Sequence, residues 1–516
     1  MFWGMLHPDP QQLRSREIVR DWNVSKQRIG IALLAISLQS IFWIAPAQAQ
    51  VQGGGWSKPF RLSSEAGKAS EAYLVADHYG YVHCFWTETL FEDDRTIIKY
   101  ARFDGATWSY PNDIYVTSLG IRNVSPFVDQ QGILHIAWAE GLIGPAYYTY
   151  APANNALSAQ NWTKPLQINV PARIVYLRVD SKGVVHILYI DQTEESGVYY
   201  IRSEDRGITW SEPVWLDPDI LPGHTPESLN FELDENDGLH AVWFYGAREE
   251  SARPDWVRYA HSLDGGQTWS APFTIDQYDE ESDHNLTSAS PIMIVQGQTV
   301  HVIWAAGSLP YRYHRFSTDA GRTWSVPVQI FGELHGQAFD GLAVDRSGRV
   351  HYFCQIRYPM GIYHAYWDQT QWSTPSLVYL IAEEGSEEGM GDRVHAHHTL
   401  PVIRAGNQLV LTFADGPADP NRRLFVMYRT LDDILPLENM PTPDPTATPV
   451  PISSPTPGQP TPMPKQTATA PSLESVEVQP LGRVPGPDLA IRVALVPTLL
   501  VLGVTMIIQL LNRLKR

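Results

Sequence analysis

Along residues 51–430 the apolar positions fall in short runs broken by Gly, Asp and Ser, and the pattern repeats about every 50–60 residues. Each repeat holds an apolar strand, a Gly turn, a strand centred on Val-His or Leu-His, a Tyr-rich strand such as Val257-Arg-Tyr-Ala260, and a strand opening with Trp-[Ser/Thr]-x-Pro. The repeated histidines are His83, His135, His186, His240, His301 and His351; a seventh strand, Gly406-Asn-Gln-Leu-Val-Leu-Thr-Phe413, lacks one. Four short antiparallel strands per repeat predict the blade of a β-propeller.

The turn before the Trp strand is the most regular piece of the chain. Ser262-Leu-Asp-Gly-Gly-Gln-Thr-Trp-Ser-Ala-Pro272 recurs from Ser203 to Pro213 and from Ser317 to Pro327. Weaker copies end at Trp56, Trp108, Trp162 and Trp372. Gly207, Gly266 and Gly321 permit the positive φ of a tight turn, and Asp205, Asp264 and Asp319 are placed to accept backbone N–H bonds. Trp210, Trp269 and Trp324 then start the next strand with a large apolar face. One carboxylate per turn makes a poor metal loop, and no metal or cofactor is expected.

Seven inner three-strand groups and seven Trp strands are present, but the Trp56 strand precedes every inner group and the group near 400–430 has no outer strand after it. The expected solution is an all-β ring of seven four-stranded antiparallel blades, closed by the N-terminal outer strand beside Leu424–Tyr428. A histidine at one strand position in six blades is read as structural, hydrogen-bonded against the adjacent blade. Cys84 and Cys354 are read as small buried hydrophobes rather than a disulfide.

The Ser-x-Asp-x-Gly-x-Thr-Trp turn resembles the Asp-box, or bacterial neuraminidase repeat, of sialidase-like β-propellers. In that family the boxes lie on the face opposite the active site, and sialidases have six blades. The resemblance implies an arginine triad, a Tyr–Glu nucleophile pair and an Asp acid/base. Phe60-Arg61-Leu62-Ser63 is nearest to the family's Phe-Arg-Ile-Pro, but it lacks the Pro, and Arg61 aligns with outer-strand positions. Arg122, Arg173 and Arg393 lie on the variable-loop face without a spacing that demands a triad.

The flanks extend the picture. Residues 1–49 read as a basic segment, an apolar run and a small-x-small site at Ala47-Gln-Ala49, a signal peptide or an uncleaved signal anchor. Residues 50–435 form the propeller. Residues 436–487 are rich in Pro and Thr and read as a disordered stalk, and 488–512 as a transmembrane helix, with a basic tail at 513–516 on the cytoplasmic side. A net charge of -18 argues against nucleic-acid binding.

Chemistry is expected where long loops open on one face. His224, His284, His335 and His395 stand at near-equivalent places there, with Asp283 and Asp392 nearby, and the residue pattern points to a polar ligand such as a glycan or a cation. Acidic loops around 276–283 and 383–392 imply a mouth that repels anions. The functional expectation is a membrane-anchored surface module that binds a glycan or a protein. The alternative is a sialidase-like or other glycoside hydrolase or lyase.

Overall fold

The structure is a computed structural model. It describes residues 55–438 apart from 194, 221–222, 248–254, 280–285, 287–289, 337–339, 358–359, 381–399 and 416–422. The segments read as signal and membrane helix, and the stalk beyond residue 438, lie outside the described residues, among which no helix is long and apolar enough to cross a membrane.

Seven four-stranded antiparallel sheets make the ring. Their innermost strands, in blade order, are Gly67–Ala76, Ile121–Val128, Ile174–Val179, His224–Leu233, Ile292–Gln296, Gly341–Val344 and Leu400–Arg404. Each touches the inner strand of the blade on either side, and the cycle closes from seven back to one. Closure is as the strand count requires. Phe60–Arg61 pairs with Arg423–Thr430 as the outer strand of blade seven, Ser57 N–H donates to Tyr428 O at 2.8 Å, and Trp56 is buried against Phe353 of blade six. Arg61 is exposed at the rim and paired with Glu65, far from any axial role.

Packing between blades explains the repeated motif. In the three complete turns Gly207, Gly266 and Gly321 have φ of 86°, 80° and 83°. The Asp carboxylates accept from the backbone N–H of Thr209, Thr268 and Thr323 at 2.8, 2.9 and 2.8 Å. The glycine is pressed on the preceding blade: a Cβ on Gly266 would lie 1.8 Å from the Tyr200 hydroxyl, and one on Gly321 1.9 Å from that of Tyr259. The Trp meets the same tyrosine edge to face, as in Tyr200–Trp269 and Tyr259–Trp324. The Trp does not start the outer strand as expected. The strands begin at Val214, Phe273 and Val328, after the proline, which has no N–H to give to a ladder.

The histidines are structural, but their partners lie in their own blade. His83 bonds Tyr100 and Asp77, His135 bonds Tyr148 and Asp129, and His240 bonds Tyr259 and Asp234. It is the tyrosine that reaches the neighbour. Blades five and six replace it with His314 and His364, paired to His301 and His351 at 3.0 and 2.9 Å. Cys84 and Cys354 are free and buried.

Candidate functional site

All seven inner strands line a central well of about 490 Å³. A shallower hollow of about 470 Å³ adjoins it, walled by Leu142, Ile143, Gln192 and Thr225. Arg122, Arg173 and Glu227 line both spaces. These three come from the end of the blades where the second and third strands connect, opposite the Ser-x-Asp-x-Gly turns, whereas Arg178 and Glu232 line the well nearer its other end, across from His186 and His240.

Local backbone irregularity aims these side chains. In blade two the pairing slips between Ile121 and Val124, and Arg122 sits in that slip. In blade four it slips between Pro226 and Ser228, and Glu227 is the extra residue. A bulge turns one residue out of the alternation that would otherwise send it between blades. Gly246 leaves the room, since a Cβ there would meet the Glu227 carboxylate at 2.8 Å. Arg173 is the single residue joining the outer strand of blade two, Leu166–Ala172, to the inner strand of blade three, and its N–H is held by Ile190 O.

The charges in the well sort into engaged and unengaged. Asp340 is held by the buried Arg312 at 2.6 Å and by the Tyr352 hydroxyl at 2.6 Å. Glu232 is held by Arg178 through both oxygens, at 2.6 and 3.2 Å. Arg122, Arg173 and Glu227 make no side-chain hydrogen bond or ion pair among the described residues. Burial and the Arg122 charge pull the Arg173 pKa down, and Glu227 pushes it back up. Burial raises the Glu227 pKa, Arg173 opposes this, and Asp255 adds to the rise. Glu227 is exposed at the mouth, yet lost solvation is still the leading cause of its rise.

The residues expected at the mouth divide. His224 is the first residue of its strand, buried, with its ring 4.6 Å from that of Trp256. His335 is half-buried, donates from Nδ1 to Glu333 O at 2.9 Å and stands near the Tyr311 ring. Neither lines the well. His284, His395, Asp283, Asp392 and Arg393 lie outside the described residues. Asp205, Asp264 and Asp319 hold turns on the opposite face. Of the three arginines noted in the sequence, Arg122 and Arg173 come together, and the described wall they form is basic rather than acidic. Glu227 was missed. Its signal is weak: a Pro-Glu-Ser just inside a strand, where a proline marks interrupted pairing.

A Tyr–carboxylate contact exists at Tyr115–Glu140, 3.3 Å apart between blades one and two. Burial and Glu140 push the tyrosine pKa up, which is the wrong direction for a nucleophile, and neither residue lines the well. Among the described residues no group of three or more His, Cys, Asp or Glu is placed to hold a metal ion.

No protein-family model matches the chain, and no curated protein does. Solved structures are similar in arrangement only. A protein of unknown function from Dyadobacter fermentans is 15% identical, covers 73% of this chain and 100% of its own, with a TM-score of 0.45. A polysaccharide lyase, an ulvan lyase, is 13% identical, covers 73% and 95%, and scores 0.47. The intramolecular trans-sialidase from Ruminococcus gnavus is 13% identical, covers 73% and 98%, and scores 0.40. Identities and scores this low say nothing of chemistry.

Proposed function

We propose that the chain binds an anionic glycan at the mouth of the central well. One observation carries this reading: two guanidinium groups from neighbouring blades face one cavity, and neither has a hydrogen-bond or ion-pair partner among the described residues. Arg173 is partly buried and Arg122 exposed, and with no carboxylate hydrogen-bonded to either among the described residues both are poised for a planar anion, which each can grip through two N–H groups. The well's volume falls within the range of about 300–1,000 Å³ usual for small-ligand sites. The test is calorimetric titration of the full chain with D-glucuronate. Arg122→Ala with Arg173→Ala is expected to weaken binding at least about a hundredfold, since each charged hydrogen bond contributes roughly 1.5–3 kcal/mol. Unchanged affinity would sink the reading.

A second reading, glycoside cleavage, is favoured by the raised pKa of Glu227 beside the arginines, as suits a general acid. Release of a chromophore from an aryl glucuronide, abolished by Glu227→Gln, is the outcome that would establish it. On the sequence reading of residues 1–49 and 436–512, the mouth is displayed outside the cytoplasm at the end of a membrane-anchored stalk. Labelling of intact cells by an impermeant reagent checks that placement.

A further inference from the structure

The inner strand of blade four carries two polar side chains that the arginine site leaves unused. Ser228, Asn230 and Glu232 share one side of His224–Leu233, opposite the buried Leu229 and Phe231. Glu232 is occupied by Arg178. The Ser228 Oγ and the Asn230 Oδ1 are buried atoms without a hydrogen-bond partner among the described residues, and both residues line the well next to Glu227.

Blade two shows what the same positions do when they serve only the ring. Val124 stands across from Trp138 as Leu229 does from Trp243, so Asn123 and Ser125 are the counterparts of Ser228 and Asn230. Asn123 donates to Val175 O at 2.6 Å and accepts from Val175 N–H at 3.1 Å, and Ser125 Oγ accepts from Leu177 N–H at 2.9 Å. Those side chains seal the inner edge of blade three. Blade five offers Ser228 no such edge. Ile292 pairs with Ile303, which puts Pro291 across from Trp304, the place Val175 holds across from Tyr189. Proline has no N–H to give. Buried polar atoms in a protein are nearly always paired, so two orphans on one strand, in residues that both line one cavity, call for a partner supplied through that cavity.

We propose that Ser228 and Asn230 form a subsite that reads ligand hydroxyl groups. The inference rests on the anion-binding reading and deepens it: the ligand is a polyhydroxylated ring that leaves its anionic group on Arg122 and Arg173 and directs hydroxyls toward blade four. An amide oxygen takes only donors, and a serine hydroxyl both donates and accepts, so the pair suits O–H groups. A site with buried polar atoms discriminates sharply against an analogue that leaves them unpaired.

The experiment compares two probes of equal charge and ring size, D-glucuronate and cyclohexanecarboxylate, on the full chain by calorimetry. The wild type is expected to prefer glucuronate by roughly tenfold or more. Ser228→Ala with Asn230→Ala is expected to erase that preference while leaving cyclohexanecarboxylate affinity unchanged. Equal affinities in the wild type, or a preference that survives the double substitution, overturn the subsite and leave the arginine site standing. A wild type that binds neither probe overturns the anion reading and this inference with it. Each variant must keep the wild-type melting temperature; Ser228→Ala alone and Asn230→Leu alone replace the double variant if it melts early, with the same outcomes.

Discussion

Neighbouring glycines in one turn do different work. Gly265 and Gly266 have φ of 72° and 80°, so an alanine at either is strained. At Gly265 nothing lies within 4 Å of the added carbon, whereas at Gly266 the Tyr200 ring is already there. Gly265→Ala is expected to cost about 1 kcal/mol, from backbone strain alone. Gly266→Ala adds a clash with Tyr200 of the preceding blade and is expected to cost several-fold more, roughly 3 kcal/mol or above. Urea unfolding of both variants separates them. The glycines were legible in the sequence because positive φ is a local demand. Glu227, Ser228 and Asn230 were not, because a bulge and a missing partner belong to how two blades meet.

The paired histidines give a residue-scale pH prediction. Trp372 N–H donates to His314 Nδ1, so the His314 proton sits on Nε2 and is given to His301 Nδ1. A second proton on His314 would set N–H against N–H. Burial holds His301 down at about 4 and depresses His314 and His364 well below the ordinary range, with the neighbouring His adding to the last two. In the unfolded chain these groups take up protons near pH 6.5. The unfolded state therefore binds more protons below that pH, and stability falls as pH drops from about 6.5 toward 4. Melting temperatures across that window are expected to decline. His364→Tyr, which restores the partner used in blades one to four, should make the decline shallower.

At the scale of the element, outer strands are short and inner strands are irregular, for separate reasons. The proline of Trp-[Ser/Thr]-x-Pro delays the outer strand, and slips in pairing break the inner one where Arg122 and Glu227 emerge. The closing element is only two residues long, as short as any described strand, with Trp56 as its anchor. Trp56→Ala is expected to cost about 3–5 kcal/mol, the range for an emptied aromatic site. Amide exchange should then quicken in Arg423–Thr430 before other strands. The role of Trp56 was legible because an outer strand with no inner group before it has one place to go. The histidine sector was less so. Equal spacing along the chain fixes the strand position of His224, but its ring lies against Trp256 of its own blade.

For the whole molecule, the count of seven was within reach of the sequence, since repeats can be tallied. The well was not, because its charged wall joins Arg122, Arg173 and Glu227, each about fifty residues from the next and each from a different blade. That wall has its own pH signature. Glu227 titrates above the ordinary carboxylate range, and protonating it removes a negative charge beside Arg173. An anion should thus bind more tightly as pH falls through the Glu227 titration and more weakly as salt rises. Titrations of D-glucuronate at several pH values check this, and Glu227→Gln should abolish the pH response while leaving the salt response in place.

The hydrogen bonds between Ser57 and Tyr428 bridge 371 residues. A ribosome delivers those two partners at opposite ends of a long interval, at about 5–20 residues per second. For tens of seconds the first strand has no mate and the nascent arc ends in a bare edge. A stop in the last blade, before Tyr428, leaves the ring open, with Phe60–Arg61 lacking its mate and a bare sheet edge exposed to pairing with other chains.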